Sequence, residues 1–177
     1  MTRRPYLVQR GGMACGLFAL CNAARYLGYD TPEPGTPAWA RLERRIDPRL
    51  YEWTRLYEVA GALGMHLRWL GPHQVLKKLP GLLIIDNPAP DSSTEGAGHT
   101  HAVALVGGDS EVAEIVSYHA DSPTAVERIP WPSLAKDTDD GSHFMCWRVE
   151  VADKKLLKSW NIPLLERIVK RGRAIVG

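Results

Sequence analysis

The hydrophobic pattern of this chain changes period once, and that change limits the fold more than any other feature. Up to Gly64 apolar residues recur at helical spacing; beyond Pro80 they run unbroken or alternate, as strands do. Leu17, Leu20, Cys21, Ala24 and Leu27 predict one apolar face of a helix over Cys15 to Leu27, with Gly28 suited to a left-handed cap. Thr31 to Pro37 holds three prolines and a glycine and reads as a loop. A second helix is predicted from Pro48 to Leu63, capped by Asp47, striped by Leu50, Trp53, Leu56, Tyr57, Ala60 and Leu63, and ended by Gly64. Met65 to Leu70 alternates weakly and reads as a strand, and Gln74 to Leu79 suits a short helix. Leu82-Leu83-Ile84-Ile85 reads as a buried strand. His101 to Val106 and Glu114 to Tyr118 read as two strands turned by Gly107-Gly108-Asp109, and Phe144 to Val151 as a last strand. Helices first and neighbouring strands afterwards imply an α+β fold with an antiparallel sheet.

At 177 residues, 45% hydrophobic and 24% charged, the chain fits one domain with an ordinary core. We divide it into a domain over 1–152 and a helical extension over 153–177. The extension carries seven Lys/Arg against two acids, so it is expected to pack its apolar side on the domain. Its basic side is left for solvent or for a partner. A net charge of +2 gives no footprint for nucleic acid. No apolar run approaches the ~20 residues of a membrane span. Three cysteines cannot all pair, and no apolar h-region follows Met1, so a reducing, cytoplasmic setting is expected.

The stretch Gln9-Arg10-Gly11-Gly12-Met13-Ala14-Cys15-Gly16 carries the most chemistry. It places a thiol where a glycine-containing loop becomes a helix. Unpaired backbone N–H groups and the helix dipole there favour the thiolate, which is the nucleophilic form. Gly16 leaves room for a substrate backbone, and the Gln9 amide with the Cys15 N–H can hold an oxyanion. Cys21, on the apolar stripe, and Cys146, inside a strand, read as small core residues.

A nucleophilic Cys needs a base, and the base needs an orienting partner. If the strands beginning at His101 and ending near Asp121 form a hairpin, their outer ends lie side by side. That brings His101 to Asp121. The loop Asn87 to Gly98 precedes His101, so Gly98 and His99 are expected to contact substrate along with Gly16. Trp131, shortly after Asp121, is expected near the same groove.

Gln9, Cys15-Gly16 with its helix, His101-Ala102-Val103-Ala104-Leu105-Val106-Gly107 and Asp121-Ser122-Pro123 together resemble the signature of the papain-like cysteine peptidases. The nearest branch is that of the bacteriocin-leader (double-glycine) peptidases and their stand-alone relatives. The resemblance implies a papain-like fold, in which a helical part bearing the Cys packs on an antiparallel sheet bearing the His and Asp. It implies a cysteine peptidase acting on a peptide or protein without a cofactor. By the same resemblance Cys15 is the nucleophile, His101 the base, Asp121 its orienting group and Gln9 the oxyanion donor. The chain departs from the pattern at Ala14, where the family often has Asp or Asn, and no transporter segment accompanies it.

Two other readings use some of the same residues. A thiol with this apparatus also serves deamidases, transglutaminases and transpeptidases, including the similar phytochelatin-synthase-like enzymes. His99-Thr100-His101 with His119-Ala120-Asp121 makes an H-x-H and an H-x-D, whose alternate residues share one strand face and suit zinc or iron. The metal reading leaves Gln9 and Cys15-Gly16 unexplained, so the peptidase reading carries no metal.

Overall fold

A computed structural model describes residues 5–9, 14–43, 53–70, 74, 76–86, 100–118, 124–134 and 145–154. The elements are α1 (Cys15–Tyr26), α2 (Pro37–Glu43), α3 (Trp53–Ala62), β1 (Met65–Trp69), β2 (Gly81–Asp86), β3 (Thr100–Gly108), β4 (Val112–Val116), β5 (Val126–Pro130), a 3-10 turn (Trp131–Leu134) and β6 (Met145–Val151). Six strands form one sheet in the order β1-β6-β2-β3-β4-β5, and every pairing is antiparallel. The fold is α+β, as the change of period predicts. The loop Asn87 to Gly98, the start of the second helix at Pro48 and the helical extension over 155–177 lie outside the described residues.

The sheet has a core on each face, which explains why β2 is apolar without a break. Leu82 and Ile84 enter the first core with Leu17, Leu20, Ala102, Trp147 and Val149. Leu83 and Ile85 enter the second with Val103, Leu105, Ile115, Cys146 and Leu134. Successive strand side chains point to opposite faces, so a strand buried on both needs no polar alternation.

Helix α1 corrects the expectation of a single apolar face. Every residue from Leu17 to Arg25 is buried, so α1 is enclosed rather than laid on a surface. Phe18 meets Trp39 of α2 edge-on, with ring centroids 4.6 Å apart. Gly28 ends the helix at φ 85°, and the Tyr29 N–H reaches back to the Ala24 carbonyl at 3.0 Å.

Enclosure makes the two polar residues of this helix informative. Asn22 clamps Leu7 from both sides: Oδ1 accepts the Leu7 N–H at 2.7 Å, and Nδ2 donates to the Leu7 carbonyl at 2.9 Å. Arg25, one turn on, donates to the Pro5 carbonyl, to Thr31 Oγ1 at 2.6 Å and to Glu33 at 2.5 Å. Asn22 and Arg25 thus strap the segment 5–9 alongside α1. Gln9 is held two residues beyond the Asn22 clamp.

Two elements differ from expectation. The loop ending at Pro37 opens α2 instead. Pro37 takes the first helical position, and Thr36 Oγ1 caps the Trp39 N–H at 3.2 Å. β5 and its 3-10 turn were hidden by Glu127, Arg128 and a terminal proline, which an edge strand tolerates. The last strand, β6, lies inside the sheet, with Leu83 opposite Cys146 and Met65 opposite Val151. The expected hairpin of β3 and β4 is present. Gly108 turns at φ 124°, where a Cβ would stand 2.3 Å from the Val112 carbonyl oxygen. Asp109 Oδ1 receives the N–H groups of Glu111 and Val112. Among the described residues no helix is long and apolar enough to cross a membrane.

Candidate active site

Cys15 is the first residue of α1, preceded by Ala14, which offers no side-chain cap. The first-turn N–H groups are therefore open to another acceptor. Its sulfur takes that place: the backbone N–H groups of Ala102, Gly16 and Cys15 itself donate toward Sγ. The Ala102 contact is the one that crosses the fold. The β3–β4 ladder ends with Ala104 opposite Val116, so Ala102 lies beyond it and its N–H is directed to the thiol. The structure thus brings Cys15 to the peptide that joins His101 to Ala102. Cys15 is half-buried, whereas Cys21 and Cys146 are sealed in the two cores, as expected, and all three are free thiols.

His101 is held from the other side. Its Nε2 lies 3.0 Å from the Ser117 carbonyl oxygen. A carbonyl only accepts, so the proton of the neutral ring is on Nε2 and the lone pair is on Nδ1. Ser117 also reaches Gln9: its Oγ accepts the Gln9 N–H at 2.8 Å. Gln9 is itself buried. Gln9 and His101 thus meet at Ser117, while Cys15 meets the main chain of Ala102, next to His101 near the start of β3. Asp121 lies outside the described residues, as do Gly98, His99 and His119. The hydrogen bond expected from an orienting group is made here by a main-chain carbonyl.

The other two expected substrate contacts are placed differently. A Cβ on Gly16 would meet Leu56 Cδ1 of α3 at 3.1 Å, so this glycine serves the close approach of α3 to α1. Trp131 donates from Nε1 to the Asp109 carbonyl at 2.9 Å, at the turn end of the β3–β4 hairpin. His101 is at the opposite end of β3, seven residues or roughly 23 Å away along the strand. Trp131 closes the hairpin and is not brought to the thiol.

Burial governs the charges. A helix start alone predicts a lowered thiol, but desolvation pushes the Cys15 thiol up, outweighing the three N–H groups that lower it. Burial likewise pulls His101 down, only partly offset by the Ser117 carbonyl. Both shifts favour the uncharged forms, so the resting pair is thiol and imidazole rather than thiolate and imidazolium. Burial drives Cys21 and Cys146 up to about 12.

Stability should therefore fall on both sides of neutrality. Below pH 6.5 the unfolded chain protonates His101 before the folded chain does. Above pH 9.0 the unfolded thiols ionise while those of Cys21 and Cys146 hold their protons to about 12. We expect the thermal midpoint to decline from both edges of that window. The acid decline should flatten in His101→Gln; if it keeps its slope, the linkage belongs to other groups.

Ser117, Ala102, Asn22 and Arg25 escape a sequence reading of the site. Ala102 acts through its main chain, and nothing in the sequence marks Ser117 as more than the end of a strand. Asn22 and Arg25 do leave a signal, as two polar residues three apart in an otherwise apolar helix. Among the described residues no group of three His, Cys, Asp or Glu is placed to hold a metal. Three of the four residues of the metal reading, His99, His119 and Asp121, lie outside the described residues. The chain matches no family model and no curated protein sequence.

Proposed function

We propose that the chain is a cysteine peptidase of papain-like type, cutting a peptide or isopeptide bond with Cys15 as nucleophile and His101 as base. The observation that carries this reading is the meeting of Cys15 Sγ with the Ala102 N–H, directly beside a histidine whose Nε2 is already engaged. In the reaction Nδ1 of His101 takes the thiol proton as sulfur attacks the amide carbonyl. The Gln9 amide and the Cys15 N–H stabilise the oxyanion. Protonated Nδ1 then passes its proton to the leaving amine, and a thioester remains on Cys15. Water hydrolyses the thioester, returning the thiol. An uncharged resting pair suits this order, because charge is created only when an acceptor carbonyl is present to use it. Three free thiols suit a reducing, cytoplasmic setting.

The test is alkylation with iodoacetamide followed by mass spectrometry. Cys15 should be labelled well before the buried Cys21 and Cys146, and its labelling should slow markedly in His101→Ala. Equal labelling of the three, or labelling indifferent to His101, removes the basis of the reading. Loss of activity to a chelator, with indifference to the alkylator, points to the metal reading. Release of free acid from a peptide substrate supports hydrolysis, and incorporation of an added amine supports transfer. Gln9→Ala should lower kcat by about 10²–10³ with the fold intact, the magnitude for one lost oxyanion donor. A rate within threefold of the parent excludes Gln9 from that role.

A further inference from the structure

We infer that Ser117 is the positioning residue of this site, setting the tautomer and orientation of His101 through its own left-handed backbone. Its relevance to catalysis rests on the thiol–imidazole reading above; its hold on the ring does not. Ser117 has φ 61°, the one positive φ among the described non-glycine residues. A serine in that region is held against a steric preference, and such residues persist where surrounding contacts over-determine them. Three contacts do so here. The Ser117 N–H donates to the Ala125 carbonyl at 3.0 Å, Oγ accepts the Gln9 N–H at 2.8 Å, and the carbonyl accepts His101 Nε2 at 3.0 Å. Each partner comes from a different part of the chain: the approach to β5, the strap before α1, and the start of β3.

The left-handed turn is what makes the triple contact geometrically available. In extended backbone Ser117 would continue the β4 ladder past Val116. Turned out of it, the residue aims its carbonyl at the ring and its hydroxyl at Gln9. The oxyanion donor and the base are thereby referred to one residue. A carbonyl stabilises the Nε2–H form and also the ring cation, but brings no negative charge into a buried site. That agrees with a histidine kept neutral at rest.

The experiment reads the ring nitrogens of His101 by 15N NMR on histidine-labelled protein, assigned by the resonance lost in His101→Gln. We expect the neutral ring to carry its proton on Nε2. A proton on Nδ1 overturns the inference without recourse to any variant. In Ser117→Ala, which loses the hydroxyl, and Ser117→Gly, which frees the backbone, the tautomers should mix. Cys15 alkylation at neutral pH should then slow by roughly ten- to a hundredfold, the scale of a misplaced reacting group. Unchanged tautomer and alkylation rate in both folded variants also overturn it. If the variants change the tautomer while His101→Ala leaves Cys15 alkylation untouched, the hold of Ser117 on the ring stands and the peptidase reading falls. Should neither variant fold, the tautomer of the unmodified chain decides.

Discussion

Cys15→Ala should abolish amide hydrolysis while leaving the thermal midpoint close to that of the parent. The sulfur is the only atom that carries the proposed bond-making step, and no other thiol can replace it. Cys21 lies in the first core and Cys146 in the second, both with their protons held to about 12. Structurally the loss is small. Alanine suits the first turn of a helix. The three N–H groups around Sγ lose a weak acceptor at a half-buried position open to replacement by water. We expect a cost of about 1 kcal/mol in stability, against a rate loss limited only by the background reaction. Single-turnover hydrolysis paired with thermal melts separates the two effects. A variant retaining a tenth of the parent rate excludes Cys15 as nucleophile.

The largest stability effect is expected at Asn22. Asn22→Leu keeps the side-chain size but strips both partners from the Leu7 backbone, whose N–H and carbonyl are enclosed against α1. Each buried group left without a partner costs about 1–3 kcal/mol, so for the two together a loss of roughly 2–6 kcal/mol is expected in urea unfolding. Activity should fall as well, through Gln9. The strap is fixed at Leu7 by Asn22 and at Gln9 by Ser117, so releasing one fixing point loosens the other. A stability loss with an unchanged rate in the surviving folded fraction means that Gln9 is held by Ser117 alone. A loss below 1 kcal/mol means that the clamp is not the main tie of the segment.

Much of the fold is legible in the sequence because it rests on local pattern. α1 with its Gly28 cap, the unbroken run of β2 and the β3–β4 hairpin each depend on spacing within about a dozen residues. What escapes depends on the far side of the chain. That α1 is enclosed on all sides follows from α2 and the sheet meeting around it. That β6 is interior follows from β1 needing a partner other than β2. The site divides in the same way. Cys15 and His101 announce themselves by residue type and neighbours. Ser117 does not, because its role lies in a backbone angle that the residue type disfavours. Local features alone misstate the charge state: a helix start favours the thiolate, but burial contributed by other segments outweighs it.

The interior position of β6 bears on how a ribosome delivers this protein. When residue 134 has emerged, β1 with α3 and the β2–β5 ribbon are both synthesised, yet no described strand joins them. Residues 145–151 supply the missing seam, hydrogen-bonding β1 on one side and β2 on the other. Pairing so remote in the chain is slow to form, and half-finished sheets expose raw strand edges. A nascent chain of this kind gains its continuous sheet late and in one stroke, and the platform beneath the thiol is complete only then.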